Sequence, residues 1–230
     1  MAGPGGARSP PAGARRYPSR VALLLLIRHG VTASTGVRLP EPQTPLSADG
    51  RAQADQLVSR LEGVGIDALY SSPLLRCRQT AEPLARARGL PVRVREDLSD
   101  VRFGRWAGRP LAEVKRTRLW RRATAAPLAT PFPGGESLLD ACRRAVAEFH
   151  AIAETHPRST TAVVTHADVI RLALAHLLGA PVEAFARLAI DPVSVSVVSL
   201  DDGPPRVLRV NDTGGLAGLA PGRRRRNVRG

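Results

Sequence analysis

The stretch "VALLLLIRHGVT", Val21–Thr32, runs through seven apolar residues and then halts on Arg28, His29 and Gly30. An apolar run of this length without helical spacing reads as a strand buried on both faces. In open α/β sheets, ligands bind beyond the carboxyl ends of such strands. A cation, an imidazole and a glycine at that place therefore mark a candidate site. A second stretch repeats the design: "TAVVT", Thr161–Thr165, is a buried run that stops at His166 and leads into a helix expected over Asp168–Leu178. Two strands ending on histidine place both imidazoles at one sheet edge.

The chain between them alternates short β-like runs with amphipathic segments, the pattern of an α/β domain. After a Pro-rich loop, "SADGRAQADQLVSRL" repeats apolar residues at helical spacing, with Ser47 as N-cap. "ALYSS" is a second strand ending at Ser72; Pro73 opens a helix that runs to Arg88 and closes on Gly89. "VRVR", Val92–Arg95, reads as a more exposed strand. A short helix is expected over Leu111–Arg121, and "PGGES" opens a long one reaching about His156. "VSVSVVSL", Val193–Leu200, and "RVLRV", Arg206–Val210, form an edge hairpin around "DDGPP".

With 230 residues and 43% hydrophobic content, the chain suits one large domain with a real core. Aromatics make up only 3%, so Leu, Val, Ala and Ile must build that core. The formal charge of +14 would ordinarily suggest a polyanionic partner. Here the basic residues are almost all arginine, Lys115 being the sole lysine, which reads as compositional bias. Part of the charge sits in the ends, at Arg8, Arg15, Arg16 and Arg20 and in the run Arg223–Arg226. Residues 1–19 and 216–230 are therefore expected to be disordered, solvated tails around a domain spanning 20–215, with no specific nucleic-acid partner.

Cys77 and Cys142 are far apart and lack zinc or CxxC spacing, so a reducing cytoplasm is expected. The first 20 residues hold no apolar leader, and the following apolar stretch is too short to cross a bilayer. The expectation is a cytoplasmic protein with no membrane partner.

Arginines add to the histidines. Arg28 precedes His29, and Arg76 lies in the first turn of the helix after "YSSP". Helix N-termini favour anions, and guanidinium groups match phosphate oxygens two at a time. Two histidines, two arginines and helix N-termini suit a phosphoryl group.

At this point "LIRHGVT", "PLSADGRAQADQLVSRL", "LYSSPLLRCRQTA", "DLSDVRFGRWAG", "PGGES" and "VVTHADVIR" occur in the order seen in the histidine phosphatase superfamily. The chain resembles these phosphoglycerate-mutase-like proteins from about Val21 to Gly214. Its ending "VLRVNDTG" further resembles an actinobacterial group labelled as phosphomutases. The resemblance implies a three-layer α/β/α sandwich with a mostly parallel central sheet. It implies that His29 is the nucleophile, attacking phosphorus in line and becoming a phosphohistidine, which requires a neutral imidazole. Arg28, Arg76 and His166 would surround the equatorial oxygens. Asp100 falls where the family places the acid that protonates the leaving oxygen and then activates water, a task suited to a raised pKa. Neither metal nor cofactor is implied, because the arginines supply positive charge.

Several positions depart from the family's pattern. Where many members carry an Asn that touches phosphate, this chain has Thr35, which still offers a hydroxyl. Ala167 replaces the glycine common after the second histidine, and Arg102 stands where an acid is frequent, adding charge near the entrance or joining a surface ion pair. Glu136 is an alternative acid, or more simply a carboxylate capping its own helix. Arg78 is expected to be solvated or ion-paired, and His150, His156 and His176 structural or exposed. Phe103 and Trp106 read as packing beside the Asp100 loop.

Transfer of the phosphoryl group to water would make a phosphatase; transfer to a second substrate hydroxyl would make a mutase. Mutases tend to have a longer segment between acid and second histidine, and the 66 positions from Asp100 to His166 favour a phosphatase of a small phosphorylated metabolite. A non-catalytic phospho-ligand binder on the same scaffold is a third reading. The apolar alternation of Val193–Leu200 fits either a homodimer edge or the last strand pair.

Overall fold

The computed structural model describes residues 21–126, 130–201 and 203–214. The expected tails, 1–19 and 216–230, lie outside the described residues. Six strands form one sheet: β1 (Ala22–Arg28), β2 (Ala68–Ser71), β3 (Val92–Val94), β4 (Thr160–Thr165), β5 (Val195–Leu200) and β6 (Arg206–Asp212), in the order β3-β2-β4-β1-β5-β6. β1, β2, β3 and β4 run parallel, while β5 is antiparallel to both β1 and β6. The expected mostly parallel sheet is the observed one.

The period of two along β1 sorts its side chains between two cores. Leu24 and Leu26 join Phe149, Ile152, Ile170 and Ala173, which belong to helices α5 (Leu138–Thr155) and α6 (Ala167–Leu177). Leu25 and Ile27 join Leu57, Ala81 and Leu84 from helices α1 (Ala48–Arg60) and α2 (Leu75–Arg88). Helices therefore cover both faces, which gives the three-layer α/β/α sandwich. A third core lies beyond the sheet edge. There α3 (Leu111–Arg116) and α4 (Arg118–Ala125) pack Val114 and Ala123 with Phe103, Trp106, Phe132 and Leu138.

Local signals explain most boundaries. Ser47 accepts from Gly50 N and caps α1, and Gly89 ends α2 at φ 64°, a left-handed conformation that glycine adopts without a Cβ penalty. Pro73 stands two residues before α2 rather than within it, because the Leu74 N–H turns onto Ser72 Oγ at 3.3 Å and the helix begins at Leu75. The single helix expected over Leu111–Arg121 is two. Thr117 leaves helical geometry (φ −70°, ψ 146°) and its hydroxyl accepts from Trp120 N, ending α3 and capping α4 together.

β5 is an inner strand, hydrogen-bonded on both sides, so Val193–Leu200 is not an exposed edge; β6 is. Its expected start also moves, to Val195, because Val193 sits at φ 57°, outside extended geometry. Among the described residues no helix is long and apolar enough to cross a membrane.

Candidate active site

The parallel pairing of β1 with β4 sets Arg28 opposite Thr165, and His29 N–H donates to Thr165 O at 3.0 Å. The residues that follow each strand end, His29 and His166, are thereby neighbours. Their ring centroids lie 5.2 Å apart at 62°. The two imidazoles expected from the sequence to meet are neighbours, but only His29 lines the cavity above them; His166 and Arg76 are buried behind it.

Each ring's tautomer follows from its partners. His29 Nδ1 lies 2.7 Å from Gly30 O, an acceptor only, so Nδ1 carries the proton and Nε2 the lone pair. Arg76 Nε–H donates to that Nε2 at 3.3 Å. On His166, Arg76 Nη2 donates to Nδ1 at 3.2 Å, which leaves the proton on Nε2, 2.8 Å from Ser72 Oγ. Both pKa values fall well below 6.5, chiefly through burial. Next in order are the neighbouring His166 and Arg76 for His29, and Arg76 for His166. Both rings are neutral at pH 7.

Arg76 is fully buried, in the first turn of α2, and binds three parts of the site. Besides the two imidazoles, its Nη2 meets Asp100 Oδ2 at 2.9 Å. Asp100 Oδ2 also lies 3.4 Å from His166 Nδ1. Arg28 donates through Nη1 to Ile190 O at 2.6 Å, while its buried Nε has no partner among the described residues. Burial, then Arg171, lowers its pKa without removing its charge. The N-caps of α2 and α6, Leu74 and His166, make no side-chain cap bond. Their first-turn N–H groups add positive potential.

A cavity of about 420 Å³ opens over this floor, lined by Arg28, His29, Asp100, Thr35 and Ala167 among others. Thr35 faces it, but its hydroxyl closes a turn by accepting Thr32 N–H at 2.9 Å. Ala167 is the first residue of α6. Arg102 is exposed and does not line the cavity, and neither it nor the exposed Arg78 makes an ion pair among the described residues. Phe103 and Trp106 pack as expected, Phe103 also reaching the cavity wall. His156 accepts its expected structural role, contacting Tyr70 Oη at 3.0 Å.

Glu136 does not cap its helix. Ser137 does, in a reciprocal box with Asp140. The Glu136 carboxylate instead accepts Arg144 Nη2 at 2.6 Å, Arg144 Nε at 3.0 Å and Arg102 N–H at 2.9 Å, away from the cavity lining. Arg144 goes on to donate to the carbonyls of Asp97 and Ser99, both at 2.8 Å, and of Asp100 at 2.9 Å. It holds the Asp100 loop. Sequence reading passed over Arg144, since one more arginine in an arginine-rich chain carries no signal. It also passed over Thr80, whose hydroxyl accepts Gly30 N–H and donates to Arg76 O, and over Asp168, which lines the cavity and pairs with Arg171 at 3.0 Å. The Asp168 carboxyl pKa is raised, by burial and then by Asp100.

Two motifs meet in one backbone contact. A Cβ on Gly50 would stand 2.0 Å from Val31 O, and one on Gly30 2.6 Å from Gly50 O. "RHG" and "SADG" need their glycines because the main chains touch there.

A parallel sheet ending in two neutral imidazoles, clamped by a buried guanidinium beneath an open cavity, defines a phosphoryl-handling enzyme class. The chain belongs to the histidine phosphatase superfamily (branch 1), whose family match spans residues 24–213, and is an enzyme of it. It is 31% identical to phosphoserine phosphatase 1 of Hydrogenobacter thermophilus, over 83% of this chain and 92% of that one. A Mycobacterium tuberculosis relative, named as a bifunctional protein, is 36% identical over 89% of this chain, which spans only 57% of that longer protein. A probable phosphoglycerate mutase of Yersinia enterocolitica is 30% identical over 79% of this chain and 86% of its own length. Among solved structures, a mycobacterial glucosyl-3-phosphoglycerate phosphatase in complex with VO3 superposes with a TM-score of 0.75 at 27% identity, covering 83% of this chain and 99% of that one.

Proposed function

We propose that the protein is a phosphatase that hydrolyses a small phosphate monoester through a phosphohistidine on His29. The observation that carries this reading is the shared guanidinium of Arg76, which reaches His29 Nε2, His166 Nδ1 and Asp100 Oδ2 at once. Nε2 of His29 holds that ring's in-plane lone pair, so it attacks phosphorus in line once the Arg76 Nε–H that it accepts turns to the phosphate. Arg28, Arg76, His166 and the N–H groups at the head of α6, Ala167 among them, stabilise the equatorial oxygens. Asp100, at the cavity floor, gives a proton to the leaving alkoxide and then takes one from the water that attacks the phosphohistidine, which frees His29 and inorganic phosphate. Thr35 contributes its hydroxyl at the cavity rim.

The names of the phosphoserine and glucosyl-3-phosphoglycerate phosphatases support hydrolysis. The mutase-named relative keeps phosphomutase activity as the runner-up. The mycobacterial relative and the ending "VLRVNDTG" support kinship with the actinobacterial group. Rapid-quench trapping decides between them. An acid-labile phosphoenzyme discharged by water at the steady-state rate supports the phosphatase; discharge by 3-phosphoglycerate to 2,3-bisphosphoglycerate overturns it. The reading extends to a single domain over 20–215 acting in the cytoplasm on a soluble phosphorylated metabolite, and a homodimer would have to form through a face other than β5.

A further inference from the structure

The cavity in front of His29 has two unlike halves. Its floor is polar, with His29, Arg28, Asp100 and Asp168. Another part of its lining is apolar, built from Phe103, Trp120, Phe132 and Phe185 with Leu39 and Leu138. The whole chain has eight aromatic residues, four Phe, two Trp and two Tyr, and four of them line this one cavity. Elsewhere the core is mainly aliphatic, with Tyr70 and Phe149 as its aromatic members, so half of the chain's aromatic residues gather at this one cavity.

The rings form one cluster. Phe103 and Phe132 lie 5.1 Å apart, Phe103 and Trp120 6.5 Å apart and stacked at 26°, and Trp120 and Phe132 6.0 Å apart. Phe103 and Phe132 are buried, whereas Trp120, on α4, is only half-buried and keeps surface to offer. The volume of about 420 Å³ falls in the range of sites that enclose whole organic ligands, roughly 300–1,000 Å³. A phosphoryl group with three polar carbons would leave the aromatic wall facing water.

We infer that the preferred substrates are phosphate monoesters whose alcohol carries a ring or similarly flat apolar group, seated against Phe103, Trp120 and Phe132 while phosphorus meets His29. This rests on the phosphatase reading above and adds the chemistry of the leaving alcohol. Lys115 and Arg38, exposed at the rim, sit well with a dianionic phosphate entering first and with a π-face passing beneath them.

The test compares 2-phenylethyl phosphate with n-propyl phosphate. Both leave as primary alkoxides, so a rate difference reports the ring rather than leaving-group basicity. Burying a phenyl ring against this wall should raise kcat/KM ten- to a hundredfold, on the order set by its apolar area. Trp120→Ala should cut that ratio at least fivefold, and Phe103→Leu, the second variant, should also lower it. A ratio within one preparation is insensitive to the folded fraction. Turnover of both esters with a ratio below ten overturns this inference and leaves the phosphatase reading standing. A high ratio untouched by either variant also overturns it, because the ring then sits elsewhere. Hydrolysis of neither ester overturns this inference, while the phosphatase reading is decided separately by the phosphoenzyme trapping described above.

Discussion

Arg76 Nε–H donates to Nε2 of His29 across 3.3 Å, so the lone pair assigned to attack is held by the group assigned to clamp the phosphate. With Asp100 and His166 on Nη2 and Glu41 O on Nη1 at 3.1 Å, four of the fork's five N–H groups are engaged before substrate arrives. A phosphoryl group therefore enters by exchanging hydrogen bonds with a preorganised cation. An ammonium cannot span these partners, so Arg76→Lys should lower kcat/KM by about 10²–10³, some 2.7–4 kcal/mol of transition-state stabilisation. Steady-state kinetics checks it, and a loss under tenfold would mean that Arg76 only orders the resting site.

His29→Ala should abolish both turnover and covalent labelling. The expected fall in kcat is at least about 10⁴-fold, the scale of losing a nucleophile. Incubation with ³²P-labelled substrate followed by denaturing electrophoresis reads the label directly. Label retained on the variant would transfer the nucleophilic role to another residue.

The two depressed histidines make stability depend on pH. Below 6.5 the unfolded chain protonates both rings while the native rings stay neutral, so stability is full above 6.5 and falls as pH drops toward the folded values. Each ring contributes a slope on the order of 1.4 kcal/mol per pH unit in that window. Urea unfolding of His29→Ala between pH 6.5 and 5 should show a slope shallower by about that amount. An unchanged slope would mean that His29 is already protonated in the native protein.

Arg144 ties the buried Glu136 to the backbone of the Asp100 loop and is itself partly buried. Arg144→Met leaves a buried carboxylate without its cation and should cost about 3–5 kcal/mol. Because the loop carrying Asp100 also loosens, kcat should fall more than KM changes. Glu136→Gln, which keeps acceptor and shape, should recover part of the stability in the Arg144→Met background. Urea midpoints and paired kinetics measure both effects.

What the sequence disclosed follows from locality. The strands before His29 and His166 announce themselves through continuous apolar runs, and Ser47, Gly89 and Arg76 carry their roles within one turn of their own helix. Arg144 was silent because its meaning lies in three carbonyls 44–47 positions away. Glu136 was misread since a carboxylate beside a helix start looks like a cap, and only the reciprocal Ser137–Asp140 bonds show the box was filled. Alternation in Val193–Leu200 has the same appearance in an inner antiparallel strand as at a free edge. Thr117 splits one expected helix into two, which sequence periodicity alone did not reveal. The cavity's aromatic wall gathers Phe103, Trp120, Phe132 and Phe185 from scattered segments, so no single stretch displayed it.

The hydrogen-bonded register that sets Arg28 beside Thr165 belongs to the sheet, whereas the ring-lined wall hangs on α3, α4 and the loops around them. On the proposed reading, bond-breaking rests on the strand and helix ends and choice of alcohol on the wall, with the Asp100–Phe103 stretch serving both. Grafting a different segment across α3 and α4 should redirect which alcohol is released while the bond-breaking machinery goes on unaltered.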